Sequence, residues 1–299
     1  MKYLSIYVCL LLLLSGCELY EQDEYQEYYV VESYLIANDE LPNVRLSTTS
    51  EITKEYSFKK NAVSDADVEI RLLNADSTVA ETFPYSETNN GIYVSRVSAT
   101  VQSKHLYQLH VVTPSGDTVT STTYVPGDFS TVNDLQNRYT YQSEEQIEVT
   151  TTPSSYITGR QAFYIFSVNV VNPDSDNLTP FYRDLVINQE NDIGNYFKNS
   201  SGIINEGNYE QNENGNITLT VPWLAIAFYE LNDVIASAID NNMYDFLRSQ
   251  DVQTGGTSLS PGEIQNIRYN VKGGIGVFGS MATDTNRIYI ERPQTITNQ

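Results

Sequence analysis

Polar and apolar positions alternate along this chain with the period of two that marks strands half buried in a sheet. Tyr28 to Ala37 is an apolar, β-branched run closed by a turn at Asn38-Asp39. Val44, Leu46 and Thr48 alternate with Arg45 and Ser47. Behind the turn-forming Asp65 and Asp67, Val68, Ile70 and Leu72 alternate with Glu69 and Arg71. Asn89-Asn90-Gly91 introduces Ile92-Tyr93-Val94, and Pro114-Ser115-Gly116-Asp117 joins Leu106 to Val112 with Val119 to Tyr124 as a hairpin. About seven short strands in roughly a hundred residues predict an immunoglobulin-like β-sandwich over residues 28–127, with Pro126-Gly127 at its boundary.

The pattern continues as a second β-rich domain over residues 128–295, so the fold class is mainly β. Gln146 to Thr152 and Ala162 to Val171 read as strands, Asn172 to Pro180 as a loop, and residues 188–216, dense in Asn, Gly and Glu, as a long excursion. Ile217 to Val221 alternates again until Pro222, which interrupts a strand or confines it to an edge. Then the period changes. Val234, Ile235, Ala238, Ile239, Met243, Phe246 and Leu247 fall on one face at helical spacing and predict a helix near residues 233–250. Asn232 or Asp233 suits its N-cap, Gly255-Gly256 its stop, and the apolar stripe reads as core packing. Ile267 to Val271 and Arg287 to Ile290 read as strands on either side of a glycine-rich stretch.

The N-terminus changes the picture. Lys2, the apolar run Tyr7 to Leu14 and the tetrad Leu14-Ser15-Gly16-Cys17 form a signal peptide, residues 1–16, ending in a lipobox. Small residues before the cut suit a lipoprotein signal peptidase, and the Cys17 thiol takes the diacylglycerol group. The apolar run is about half of the ~20 residues that a spanning helix needs. Cys9 leaves with the signal, so the mature chain carries only the acylated Cys17 and no disulfide. Residues 17–27 are an acidic tether with Glu18, Glu21, Asp23, Glu24 and Glu27. Such residues behind the cysteine resemble the surface-export signal of bacteria with starch-utilisation-like (Sus-type) systems; the alternative is an ordinary solvated linker. A formal net charge of -21 argues against nucleic acid and anionic lipid as partners.

Chemistry is hard to find. His105 and His110 are five apart, hence on opposite faces of a strand, and cannot share a metal. Asp174-Ser175-Asp176-Asn177 has the alternating oxygens of a calcium loop without its glycine or closing glutamate, and reads as a polar loop. The stretch Gly273-Gly274-Ile275-Gly276-Val277-Phe278-Gly279 lies between strands, where no helix N-terminus is available to cradle phosphate. Its glycines fit a bulge or the close approach of another backbone. No serine sits in a nucleophile elbow and nothing selects a carboxylate pair, so the expectation is a non-enzyme with no cofactor beyond the lipid. The 23 tyrosines serve either interfaces and sugar stacking or cores and edges, and composition does not choose.

Tyr29-Val30-Val31-Glu32-Ser33-Tyr34-Leu35, Val44-Arg45-Leu46-Ser47, Asp65-Ala66-Asp67-Val68-Glu69-Ile70, Gly91-Ile92-Tyr93 and Tyr107-Gln108-Leu109 together resemble the domain-of-unknown-function 4249 family of outer-membrane lipoproteins. So do Met243-Tyr244-Asp245-Phe246-Leu247-Arg248-Ser249 and the closing signature, Gln265-Asn266-Ile267 followed by Gly273, Gly274, Gly276, Phe278 and Gly279. Two places depart from the family: Arg268 to Lys272 lengthens the interval before the glycines, and Leu259-Ser260-Pro261 replaces an aromatic-proline pairing. The resemblance implies an outer-membrane position facing the cell exterior and the company of a TonB-dependent receptor, with no catalytic residues to transfer. The expected role is accessory or ligand-capture partner of such a transporter in nutrient uptake. The alternative is a structural subunit of another surface assembly, in barrel biogenesis or adhesion. A hydrolase, the third reading, predicts clustered carboxylates in a cleft.

Overall fold

The computed structural model describes residues 25–132, 136–156, 161–253 and 266–294. The lipobox with Cys17, the tether up to residue 24, the Gly255-Gly256 stop and Leu259-Ser260-Pro261 lie outside them. The fold is mainly β, and the first half follows the alternation closely. Strands β1 (Tyr29–Ile36), β2 (Val44–Thr48), β3 (Asp67–Leu73), β4 (Val79–Asn89), β5 (Ile92–Ser95), β6 (Leu106–Val112) and β7 (Thr118–Tyr124) join in the order β1-β2-β5-β4-β3-β6-β7. A single helical turn, α1 (Phe58–Asn61), sits after β2. β4 is the hinge of this sandwich: residues 79–84 pair with β3 and residues 85–89 with β5, so one strand passes from one layer to the other. Alternate residues of both layers, among them Val31, Leu46, Ile70, Tyr93, Leu109 and Val119, meet in one core.

In the second half, β8 (Arg138–Thr140), β9 (Ile147–Thr151), β10 (Phe163–Val170), β11 (Lys198–Ser200), β12 (Ile204–Asn205), β13 (Ile217–Val221), β14 (Glu230–Ile239) and β15 (Ile275–Glu291) surround two further helices, α2 (Pro180–Ile187) and α3 (Asn241–Gln253). β10, β14 and β15 form the centre of the sheet, and β9 pairs with β13 as a separate ribbon. The sheet has two used faces. Tyr164, Phe166, Val168, Val234, Ala236, Ala238, Ile288 and Ile290 face the ribbon, and Phe163, Ile165, Ile239, Val277 and Met281 face α3. β15 serves both halves: residues 275–281 run parallel to β1, and residues 281–290 run antiparallel to β14.

The helix expected near residues 233–250 is corrected. Residues 230–239 are a strand in which Asn232, Val234, Ala236 and Ala238 are buried in alternation, and the helix begins only at Asn241. Val234, Ile235, Ala238 and Ile239 satisfy either period. Hydrogen-bonding neighbours on both sides, β10 and β15, decide for the strand, as tertiary context commonly does. Met243, Phe246 and Leu247 do lie on the helix and face the sheet. Asn232 caps nothing helical; its side-chain amide donates to the Phe228 carbonyl at 3.0 Å. The strand expected at Ile267 to Val271 is also absent. That segment runs beside β7 with one bridge, Lys272 to Thr120, while the Asn270 side chain substitutes for a neighbouring strand. Its Oδ1 accepts from the Phe278 amide at 3.1 Å and its Nδ2 donates to the Phe278 carbonyl at 2.8 Å.

Many tyrosines fill cores and pin loops, each with a buried ring and a hydroxyl that meets backbone. Tyr85 donates to the Pro42 carbonyl, Tyr93 to the Val63 carbonyl, and Tyr107 and Tyr164 accept from the Gln102 and Ser154 amides, all at 2.8–2.9 Å.

Candidate functional site

The glycine signature sits where backbones crowd. A Cβ on Gly273 would overlap the Thr118 carbonyl oxygen, and one on Gly276 that of Val31. A Cβ on Gly274 would crowd the Tyr29 carbonyl oxygen as well, though less severely. Gly273 and Gly276 also hold positive φ, +79° and +108°, backbone that side chains resist. Gly279 lies beneath Met243 of α3, and Phe278 is fully buried in the first core. The signature is thus the seam that lays β15 against β1.

One carboxylate is built into the same seam. Asp240 lies between β14 and α3 and caps the helix: its Oδ1 accepts from the Met243 amide at 2.9 Å, three residues on, as at an N-cap. Its Oδ2 accepts from the Thr123 hydroxyl of β7 at 2.5 Å. Thr123 lies 2.7 Å from the Ser280 hydroxyl of β15, which donates to the Tyr124 carbonyl at 3.1 Å. Asp240 is 1% exposed. Burial pushes its carboxyl up to about 6, against the pull of these hydrogen bonds. Sequence reasoning missed this residue, although Asp-Asn-Asn ahead of Met243 is an N-cap signal.

Concavities flank β10 and β14 on opposite faces. On the ribbon side, a cavity of about 620 Å³ lies among Phe166, Val168, Leu219, Val221, Leu224 and Val234, with Asn199, Ser200, Ser201, Thr218 and Thr220 supplying neutral polar atoms. It falls in the size range of small-molecule sites. Among the described residues no Asp, Glu, Lys, Arg or His lines it, in a chain that carries 38 acidic residues. On the other face, a groove of about 1020 Å³ runs between the sheet and α3. Phe163 and Tyr244 stack across it with ring centroids 3.9 Å apart. Tyr34 stands on its floor, where burial and the neighbouring Glu32 carboxylate push its hydroxyl up to about 12, so it stays protonated. Lys198, Arg248 and Asp251 stand among the residues that line it.

The remaining candidates stay apart. His105 bonds the Ser103 carbonyl through Nδ1, and His110 lies 3.6 Å from Glu69. Asp174 accepts from the Asp176 amide and caps a 3-10 turn. Among the described residues no three His, Cys, Asp or Glu side chains gather as a metal site would require. The arrangement suits binding in an apolar, uncharged cavity.

The family model described as "Domain of unknown function (DUF4249)" matches residues 18–287. No catalytic family is indicated, and no curated protein matches. Among solved structures the chain is similar to Escherichia coli alpha-2-macroglobulin activated by porcine elastase (10% identity, TM-score 0.25), covering 92% of this chain and 21% of that one. It thus spans about a fifth of that protein's length. It is similar also to the three N-terminal domains of the bacteriophage RB49 outer capsid protein Hoc, at 8% identity and TM-score 0.24, covering 90% of this chain and 71% of that one. A third likeness is to murine CEACAM1b, at 11% identity and TM-score 0.17, covering 90% and 100%.

Proposed function

Because the chain belongs to the DUF4249 family, we propose that it is a non-enzymatic lipoprotein of the outer membrane, facing the cell exterior. In this reading it is the accessory or ligand-capture partner of a TonB-dependent transporter. The observation that carries this reading is the Leu14-Ser15-Gly16-Cys17 lipobox with its acidic tether. The uncharged cavity between β10 and the β9–β13 ribbon supports ligand capture. Phe181, Ile187 and Leu224, each about half exposed around α2, offer an apolar face of the kind partners cover.

Affinity purification of the full-length protein from detergent-solubilised outer membranes tests the proposal. Recovery with a TonB-dependent barrel is the expected result, and recovery as a lone monomer overturns it. Recovery with biogenesis or adhesion machinery instead would favour the structural-subunit reading.

A further inference from the structure

The loop between β2 and α1 differs from the rest of the surface. Ile52 at its tip is 95% exposed, beyond any other large hydrophobic side chain among the described residues, and Tyr56 is 53% exposed. Three of the chain's seven lysines, Lys54, Lys59 and Lys60, fall within residues 54–60 just behind it. All three are exposed. From Thr49 to Asn61 the lysines outnumber the two glutamates, Glu51 and Glu55, although the whole chain carries -21.

This loop is tied to the point where the described chain begins. The Tyr25 hydroxyl lies 2.6 Å from Thr49 Oγ1, the Tyr28 amide donates to the same oxygen at 3.1 Å, and the Thr49 amide donates to the Tyr28 carbonyl at 2.9 Å. Tyr25 and Tyr28 are each 43% exposed. The Asn61 side chain closes the loop's far end onto the Thr49 carbonyl at 3.0 Å. An exposed aliphatic tip, exposed lysines, of which Lys54 pairs with Glu51 at 2.9 Å, and half-exposed tyrosines form one face.

We propose that this face rests on the lipid bilayer, with Ile52 entering the headgroup region; the inference depends on Cys17 being the lipid anchor. Tyr25 lies eight residue steps from Cys17, and even fully extended these reach only about 28 Å. The body is therefore held with its Tyr25 end toward the membrane. Tyrosine rings and lysine stems are the side chains that settle at the water–lipid boundary, the ring or methylenes down and the polar end toward phosphate. A shallow aliphatic insertion and a few cations add a second attachment to the acyl chains, as stable anchoring commonly requires. The acidic remainder of the surface is repelled from phosphate, so the same charges that argue against lipid binding overall favour one orientation.

The test uses full-length, lipidated protein in vesicles of phosphatidylethanolamine and phosphatidylcholine carrying brominated acyl chains. Ile52→Trp places a reporter at the tip. Val79→Trp places one at the far end of β4, whose near end turns through Gly91 against Ala62 behind the loop. Emission of the unsubstituted protein, which contains only Trp223, is subtracted. Blue-shifted emission and loss of intensity at position 52, with position 79 unaffected, is the expected result. Equal quenching at both positions overturns the inference, as does none at position 52 on protein that still sediments with vesicles; the anchor reading then stands. If mass spectrometry finds Cys17 unmodified and the protein stays in the supernatant, the anchor reading itself fails.

Discussion

Replacing Asp240 with Asn should make the protein more stable at neutral pH, because the native residue is ionised there in a site that favours the neutral acid. Its folded-state value of about 6 exceeds the ordinary 3.8, with burial as the leading cause. Between those two values the folded chain therefore holds more protons than the unfolded one. Stability contributed by Asp240 is full below about pH 4, falls as pH rises toward 6, and is flat above. A shift of about two units corresponds to about 3 kcal/mol. Asn keeps the geometry: its oxygen still accepts from Met243, and its amide donates to Thr123 while the Thr123 hydroxyl turns to Ser280. The assay is denaturant unfolding of both proteins from pH 4 to 8, read as the difference between them. That difference cancels the many other carboxylates, which would otherwise dominate the profile of so acidic a chain. The variant should match the native protein near pH 4 and gain up to about 3 kcal/mol on it by pH 7. A gap that does not change with pH, or a variant less stable at pH 7, would refute the reasoning.

Three other substitutions probe the same seam. Gly276→Ala, at φ +108° and against the Val31 carbonyl, should cost at least about 2 kcal/mol through backbone strain alone; an unchanged denaturation midpoint would remove the close-approach argument. Phe278→Ala, emptying a site with no exposure, should cost about 3–5 kcal/mol in the same measurement. Thr123→Val deletes the hydroxyl bonded to Asp240 and should move that carboxyl's titration, followed by infrared or NMR, further upward; a downward move would mean that the hydroxyl does not support the anion.

The strands were legible in the sequence wherever one face meets a core and the other water, because burial then writes itself as alternation. β4 was not. Its first four residues, Val79 to Thr82, are exposed and Pro84 lies within it, so a strand defined by changing layers carries no single pattern. β14 misled for the opposite reason: both of its faces are used, so the apolar residues run together and fit 3.6 as well as 2. The glycine stretch was read for what its composition allows, a close approach of backbones, but not for which backbone, since β1 lies more than two hundred residues away. Neither concavity was visible either. The cavity is assembled from β10, β11, β13 and the turn before β14, segments far apart in the chain, and no local pattern brings them together.

β15 links these observations, because its pairing makes the first core depend on the end of the chain. Residues 275–281 supply the strand beside β1 on the side away from β2, and Val271, Phe278 and Ala282 pack into the core that residues 31–125 otherwise build. Burying each large side chain is worth about 1.5–3 kcal/mol. Losing two of them and a seven-residue ladder removes a large part of the 5–15 kcal/mol that holds a typical domain together. A fragment of residues 25–127 should therefore show no cooperative thermal transition. The same fragment carrying residues 270–283 on a flexible linker should regain one, because that segment restores the ladder, the Asn270 bonds and the buried side chains together. A sharp transition in the shorter fragment would mean that β1 through β7 close a sufficient core alone. The glycines would then serve only the second half, and the crowding of Gly276 against Val31 would be a consequence of the packing of the halves rather than a condition for it.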